Sequence, residues 1–214
     1  HPWAATAAFG LTAAAITGGY LGLITAAVPI DLGIGRRHIR LGPHSVDIHA
    51  DRDTVFNVLA EPYLARQTRA IAEKIHIIAR GSDMVLAAHR TPVHGGRLIA
   101  TTVETVRFTR PDRVEFHLVR GPVPEVSEQF LLTEHPAPAL GGEPVTRLEY
   151  HGQLGTDLWA PGAAWGRLIA RHWQQVVADT FVAVTTEAER RAAAEAPEVL
   201  RRVVPGSGPH RDLP

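Results

Sequence analysis

Residues 163–196 read "AAWGRLIARHWQQVVADTFVAVTTEAERRAAAEA", and this stretch decides the fold. Apolar side chains recur in it at steps of three and four residues, the spacing that puts them on one face of an α-helix. They are Trp165, Leu168, Ile169, Trp173, Val176, Val177, Phe181 and Val184. The pattern predicts one long helix whose apolar face must be covered by a second layer of structure.

That second layer is predicted to be an antiparallel β-sheet. Six strand-like segments come before the helix: "KIHIIARG", "DMVLAAHRTPV", "RLIATTVETVRFTR", "DRVEFHLVRG", "EVSEQFLLTEH" and "VTRLEYHGQLG". Glycine, proline and aspartate lie between them, as is typical of turns. The segments follow one another too closely to leave room for crossover helices, which favours an antiparallel meander.

One strand and two short helices are predicted before the meander. The segment "HSVDIHA", residues 44–50, alternates apolar and polar side chains as a strand does. Asp51 is placed to cap a helix whose apolar residues begin at Val55. Pro62 is expected to break that helix and to start a second one, which would form a two-helix corner.

This order of elements resembles the START-like superfamily, the polyketide cyclase/dehydrase and lipid-transport family, over about residues 43–191. The segments "HADRDTVFNVLAEP", "LVRGPVPEVSEQFLL" and "GTDLWAPGAAWGRLIARHWQQVVADTFVAVTTEAERR" look like those of actinobacterial members. The resemblance implies an α+β helix-grip fold, in which a curved antiparallel sheet surrounds the long C-terminal helix. It also implies a ligand cavity between the sheet and that helix.

The N-terminal region is predicted to be a membrane anchor. No charged residue occurs between Trp3 and Ile30, a longer run than the ~20 residues that a helix needs to cross a bilayer. A cleaved signal peptide fits less well, because the run is too long and lacks a basic segment before it. The arginines that follow, Arg36, Arg37 and Arg40, place the domain in the cytoplasm by the positive-inside rule.

The expected organisation therefore has four parts and a single pass through the cell membrane. They are a transmembrane helix over 1–33, a neck over 34–43, a START-like domain over 44–196 and an irregular tail over 197–214. Small residues at steps of four in the first part would let a second helix approach closely, which predicts a membrane-protein partner. These residues are Ala14, Gly18, Gly22 and Ala26.

Composition excludes several classes of function. The chain has 22 basic and 22 acidic residues, so no global positive field points to nucleic acid. It has no cysteine, which excludes disulfides and thiol catalysis. The twelve histidines do not show the spacing of a metal site, and no nucleophilic triad can be recognised. We therefore predict no metal, no cofactor and no catalytic residue.

Strand alternation predicts which side chains line the cavity. If the apolar face of each strand points inward, the polar residues Glu104, Arg120, Glu128 and Tyr150 share the concave side. The complete predicted ligand-binding set is Glu104, Phe116, Arg120, Glu128, Phe130, Tyr150, Trp165 and Trp173. A register shift of one residue near 120–126 would reverse the faces there and bring in His117 and His151 instead.

Two interpretations of the inward arginine remain open. Arg120 could hold a carbonyl, carboxylate or phenolate of a ligand, with Tyr150 as a hydrogen-bond donor. Alternatively, Arg120 pairs with Glu104 or Glu128 at the rim and has no role in binding. An unpaired buried charge would be costly in either case.

Three functions follow from these features. The first is a membrane-tethered, non-catalytic domain that binds a hydrophobic small molecule such as a membrane lipid, an isoprenoid or a quinone-like compound. The second is an accessory subunit of a larger membrane complex, for example a respiratory one, in which the domain serves as an interaction module. The third is an enzyme similar to the polyketide cyclases, which position a flexible chain and move protons.

Overall fold

The computed structural model describes residues 17–25, 31–65, 67–93, 95–135 and 144–203, without the side chains of 196–203. The helices are α1 (17–24), α2 (Arg52–Leu64), α3 (Arg69–Lys74) and α4 (Trp159–Val203). The strands are β1 (Arg37–Ile48), β2 (Ile75–Arg80), β3 (Met84–Val93), β4 (Leu98–Thr109), β5 (Arg113–Arg120), β6 (Glu125–His135) and β7 (Val145–Thr156).

The strands form one curved antiparallel sheet in the order β1-β7-β6-β5-β4-β3-β2. Strands β2 to β7 are neighbours in the order of the chain, as the predicted meander requires, and β1 pairs with β7. Helices α2 and α4 pack against one face of the sheet. The predicted helix-grip architecture is confirmed.

The core lies between this face of the sheet and the two helices. Strand residues with fully buried side chains alternate with more exposed ones, as the period of two requires. The buried side chains of the strands include Leu41, Ile48, Val106, Val114, Leu148 and Leu154. The buried side chains of the helices include Val55, Phe56, Ile169 and Val177. The spacing that predicted α4 marks the buried face only in part, since Ile169, Val177 and Val184 are buried whereas Leu168 and Val176 are exposed.

The break between α2 and α3 differs from the prediction. Asp51 caps α2 as expected, since its carboxylate accepts a hydrogen bond from the N–H of Thr54 at 2.9 Å. Pro62, however, lies inside α2, which ends at Leu64. The proline removes one backbone hydrogen bond, but the burial of Leu59 and Tyr63 on either side keeps this last turn helical.

The predicted neck over 34–43 is wrong, because β1 begins at Arg37 and pairs with β7 along this stretch. Residues 31–36, here called the strap, are held by Asp157. Its Oδ2 accepts hydrogen bonds from the N–H groups of Leu32 and Gly33 at 2.7 and 2.8 Å. The Nε of Arg36 donates to Oδ1 of Asp157 at 2.8 Å. The domain therefore begins before the predicted boundary at 44, and no flexible linker lies there.

Most of the predicted transmembrane helix over 1–33 lies outside the described residues, including Ala14 and Ala26. Within the part of the chain that the structure describes, no helix is long and apolar enough to cross a membrane. Gly18 and Gly22 belong to α1. This helix contacts the domain, because the Tyr20 ring meets the Trp165 ring edge to face at a centroid distance of 5.9 Å.

Helix α4 is longer at both ends than its apolar pattern predicts. It begins at Trp159 and continues to Val203, so residues 197–203 of the predicted irregular tail are helical. The remainder of that tail lies outside the described residues. The apolar pattern ends earlier than the helix, because only the part of α4 that packs on the sheet needs an apolar face.

The strap gives a first prediction. Asp157→Asn removes the charge that Arg36 faces, so we expect the free energy of unfolding at pH 7 to fall by about 2 kcal/mol, as for a lost hydrogen bond to a charged group. Urea denaturation measures the loss. The exposed Asp179, which accepts a hydrogen bond from Gln175, provides the matched control Asp179→Asn. An equal loss in this control would contradict the role of Asp157.

The same interaction predicts a dependence on pH. The hydrogen bond from Arg36, with those from Gly33 and Leu32, lowers the pKa of Asp157 to about 2. An acid with a lowered pKa in the folded state stabilises the protein above its unfolded pKa and loses this effect as the pH falls through the folded value. The difference in unfolding free energy between the parent protein and Asp157→Asn should therefore become smaller as the pH is lowered from about 4 towards 2.

Candidate functional site

A buried carboxylate on β6 joins the sheet to α4. Glu128 is 8% exposed, and its Oε1 accepts two hydrogen bonds. One comes from the hydroxyl of Tyr150 on β7 at 2.5 Å, and the other comes from Nε1 of Trp173 on α4 at 2.6 Å. Three of the predicted ligand-binding residues therefore meet in one cluster, here called the Glu128 cluster.

Gly152 makes the contact between Tyr150 and Glu128 possible. Gly152 is the register partner of Glu128, and it follows Tyr150 by two residues on the same face of β7. A Cβ at this position would lie 2.7 Å from the Tyr150 hydroxyl. The missing side chain therefore leaves the space in which the hydroxyl lies. The signal for this contact in the sequence is "YHG", a glycine that follows a tyrosine by two residues and therefore shares its face of the strand.

A second polar cluster lies on the neighbouring strands. Nδ1 of His89 on β3 is 3.1 Å from Oε2 of Glu104 on β4. Nε2 of the same ring is 3.0 Å from the hydroxyl of Tyr63 on α2. Glu104 was predicted to face inward, whereas His89 and Tyr63 were not among the predicted site residues. The alternation of Val85, Ala87 and His89 along β3 was the signal that could have found His89.

Aromatic rings connect the two clusters. Phe116 contacts the Tyr63 ring at 5.8 Å and the Phe130 ring at 5.9 Å between centroids. Phe130 in turn lies 5.1 Å from the Tyr150 ring and 6.0 Å from Phe181 on α4. Phe116 and Phe130 thus lie on the inner face, at the positions that strand alternation predicts for them.

The tryptophans of α4 pack against the core and keep part of their surface accessible. Trp165 donates a hydrogen bond from Nε1 to the carbonyl oxygen of Pro122 at 2.8 Å, in the turn between β5 and β6. Trp165 and Trp173 are both half-buried, as is Phe181. The inner face of α4 therefore presents aromatic surface next to the carboxylate of Glu128.

Burial controls the protonation of both clusters. Burial and the negative charge of Glu104 together raise the pKa of Glu128 to about 7. Burial disfavours the charged form of His89, but the charge and hydrogen bond of Glu104 outweigh this and raise the pKa of His89. Burial next to carboxylates raises the pKa of Tyr63 and Tyr150, so both hydroxyls stay protonated and can donate.

The register corrects the predicted orientation of Arg120. Leu118 pairs with Glu104 but Arg120 pairs with Val103, so Val119 is an extra residue on β5, a β-bulge. Paired residues share a face, and Val103 points away from the face of Glu104. Arg120 therefore lies on the outer side and is exposed. Alternation predicted the opposite because a bulge reverses the faces beyond it.

The alternative candidates His117 and His151 also lie on the outer face of the sheet. They border an open depression of about 270 Å³ on that side. Its lining comprises the outward-facing residues Glu115, His117, Ser127, Gln129, His151 and Gln153, with Glu128 and Gly152 between them on β6 and β7. Among the residues that the structure describes, no group of three or more His, Asp and Glu side chains could hold a metal ion.

Comparison with known proteins establishes the fold. No protein-family model and no curated protein sequence matches this chain. The aromatase/cyclase Zhui from Streptomyces sp. R1128 has a similar structure, with 19% sequence identity and a TM-score of 0.54 over 73% of this chain and 95% of that one. A START superfamily protein from Mycobacterium smegmatis has 14% identity and a TM-score of 0.42 over 73% and 97% of the two chains. The similarity to Zhui concerns the fold, a curved antiparallel sheet that surrounds a long C-terminal helix.

Titration of the two clusters predicts how stability varies with pH. An acid whose pKa is raised on folding makes the folded state less stable as the pH rises from its unfolded pKa to its folded pKa. For Glu128 this range runs from 4.5 to about 7. The stabilisation from His89 is complete below about 6.5 and is also lost as the pH rises through its raised pKa. We therefore expect the free energy of unfolding to fall between pH 5 and pH 8.

The variant Glu128→Gln tests the source of this fall. It should be more stable than the parent protein at pH 8, and the fall between pH 5 and pH 7 should be smaller. Urea denaturation across this range measures both effects, with the exposed Glu134→Gln on the same strand as the control. A pH profile that Glu128→Gln leaves unchanged would show that Glu128 does not titrate in this range.

The close approach at Gly152 can be tested separately. Gly152→Ala places a methyl group against the Tyr150 hydroxyl, which should cost about 1–3 kcal/mol of unfolding free energy, as overpacking does. In the Glu128→Gln background the cost should be smaller, because a displaced Tyr150 hydroxyl then loses a hydrogen bond to a neutral amide and not to a carboxylate. A double-mutant cycle measures the difference. Gly19→Ala, in α1, is the control, because no atom lies within 4 Å of a Cβ added there. Additive effects would contradict the proposed coupling.

Proposed function

We propose that the domain binds an apolar small molecule along the inner face of α4, with the Glu128 cluster contacting the polar group of this molecule. The observation that carries the proposal is the buried Glu128, hydrogen-bonded to Trp173 on the helix that also bears the half-buried rings of Trp165 and Phe181. The rings provide an apolar surface, and the carboxylate provides a directional contact.

The cost of the polar clusters supports a functional role. Taking a carboxylate out of water costs several kcal/mol, and well-packed apolar residues of similar size are often at least as stable. The inner face nevertheless contains two carboxylates, Glu104 and Glu128, among phenylalanine and tyrosine rings. Their presence is better explained by recognition of a polar group than by stability.

The charges in the site favour a ligand that donates hydrogen bonds. Glu128 is an acceptor when ionised, and the same carboxylate can ion-pair with an ammonium group, which aromatic rings such as Trp173 also attract. Arg120 was the residue expected to hold a carboxylate or phenolate, and it lies on the outer face. An amine or a hydroxyl therefore suits the inner face better than a carboxylate does.

Tethering to a membrane remains part of the proposal. The uncharged stretch from Trp3 to Ile30 and the arginines after it support a cell-membrane location with the domain on the cytoplasmic side. A lipid, an isoprenoid or a quinone-like compound would then reach the domain from the bilayer. If the small residues of α1 instead pack against another helix, the chain would be an accessory subunit of a membrane complex.

A second candidate is a cyclase-like enzyme, which the cluster of Tyr63, His89 and Glu104 favours. These side chains form a continuous line in which Glu104 orients His89 and His89 contacts the Tyr63 hydroxyl. Such a line can deliver or accept a proton. The similarity to an aromatase/cyclase concerns the fold alone and does not decide between binding and catalysis.

Native mass spectrometry of the full chain in a mild detergent tests the proposal. Dodecylamine, dodecanol and dodecanoate serve as probes of equal chain length. We expect adducts with the amine and the alcohol, and roughly tenfold less with the carboxylate, which corresponds to about 1.4 kcal/mol. In Glu128→Gln the preference for dodecylamine over dodecanoate should disappear, whereas the exposed control Glu134→Gln should keep this preference.

The other functions predict different results in the same experiment. A protein that copurifies in stable stoichiometry would favour the accessory subunit. A poly-β-ketone probe that leaves with one water fewer would favour the enzyme, because cyclisation followed by dehydration needs only proton transfers. The binding proposal fails if no probe is retained, or if Glu128→Gln and Glu134→Gln behave alike.

A further inference from the structure

We propose that Leu32, Ile34, Leu158 and Trp159, here called the collar, insert into the interfacial region of a lipid bilayer. The inference rests on the proposed membrane tether and adds to it how the domain is oriented on the membrane. The collar side chains are 55%, 52%, 38% and 54% exposed, respectively. Single exposed apolar residues are common, but a contiguous group of large ones marks an interaction surface.

Backbone hydrogen bonds hold the collar together. The N–H of Leu158 donates to the carbonyl oxygen of Ile34 at 2.8 Å, and the N–H of Trp159 donates to that of Gly35 at 3.0 Å. Asp157 binds the N–H of Leu32 in the same region. Two segments that are distant in sequence, the strap and the start of α4, therefore place their apolar side chains side by side.

The local conformation around the collar is strained. Leu158 and Trp159 have φ values of 69° and 48°, in the left-handed region that non-glycine residues rarely occupy. This region is disfavoured for residues that carry a Cβ, because the Cβ approaches the following carbonyl oxygen. The ring of Trp159 lies so close to Gly35 that a Cβ there would overlap it. Strain that persists in a folded protein is typical of a surface with a function.

The sequence next to the collar indicates that its partner is a bilayer. The uncharged stretch ends at Ile30, one residue before the strap begins. α1 belongs to this stretch, contacts the first turns of α4 through Tyr20 and exposes Leu21. The exposed Arg37 follows the strap and can reach lipid headgroups. Tryptophan prefers this interfacial depth, where one part of its ring system is apolar and the other is hydrated.

The collar would also orient the binding site. It lies at the start of α4, and Trp165 follows Trp159 by less than two helical turns. With the collar in the bilayer, the end of α4 that bears Trp165 faces the lipid, so an apolar molecule could pass between membrane and domain without crossing water. The strap is tied to the buried carboxylate of Asp157, so this orientation is rigid.

The absence of cysteine allows a direct test on the full chain. Cysteine is introduced singly as Leu32→Cys or Trp159→Cys and labelled with the environment-sensitive dye NBD. Val119→Cys and Val182→Cys, at exposed valines on β5 and α4, are matched controls. With vesicles of phosphatidylcholine and phosphatidylglycerol, NBD emission should rise several-fold and shift to the blue at the collar only. Nitroxide-labelled lipids in the vesicles should quench it.

Each alternative outcome is distinct. If the chain floats with the vesicles but neither collar label responds, the collar proposal is wrong while the tether stands. If the chain does not float, the collar proposal and the membrane tether are both wrong. The proposal of ligand binding is unaffected by that result, because native mass spectrometry tests it separately. If the collar labels respond to protein concentration without vesicles, a second copy covers them and the bilayer is excluded as the partner.

Discussion

The buried carboxylate of Glu128 is the constraint on which the arrangement of sheet and helix depends. A carboxylate removed from water must receive hydrogen bonds, and its donors come from two different layers, Tyr150 on β7 and Trp173 on α4. Apolar packing is not directional, whereas these hydrogen bonds are. The directional contact to Trp173 fixes the helix in one position, and Gly152 provides the space that Tyr150 needs.

Asp157 has a similar role at the start of α4. Its carboxylate binds the strap and Arg36, and it immediately precedes the two residues with left-handed conformation. The same few contacts therefore anchor the N-terminal segment, begin the long helix and create the exposed collar. In both places a buried acid connects segments that are far apart in the sequence, and in both places the proposed functions lie next to it.

The two clusters on the inner face differ in what they can do chemically. Glu128 receives its hydrogen bonds from neutral donors, and burial next to Glu104 raises its pKa to about 7. It can therefore bind a basic or hydroxylated ligand. Glu104 interacts with His89, whose proton it favours, so that pair resembles an acid–base relay. A binding protein needs only the first cluster, whereas an enzyme would use the second, and the fold accommodates both.

Periodicity along the chain was enough to predict seven strands, the long helix and the inward positions of Glu104, Phe116, Glu128, Phe130 and Tyr150, because these depend on local repeats of two or 3.6 residues. Features set by contacts between distant segments were beyond its reach. The bulge at Val119 turned Arg120 outward, pairing with β7 made a strand of the predicted neck, and burial kept α2 helical through Pro62. Tyr63 and His89 were likewise not predicted, because only the packing of α2 on the sheet brings Tyr63 to His89. A local pattern specifies which face of an element is apolar, but only the packed structure specifies what that face meets.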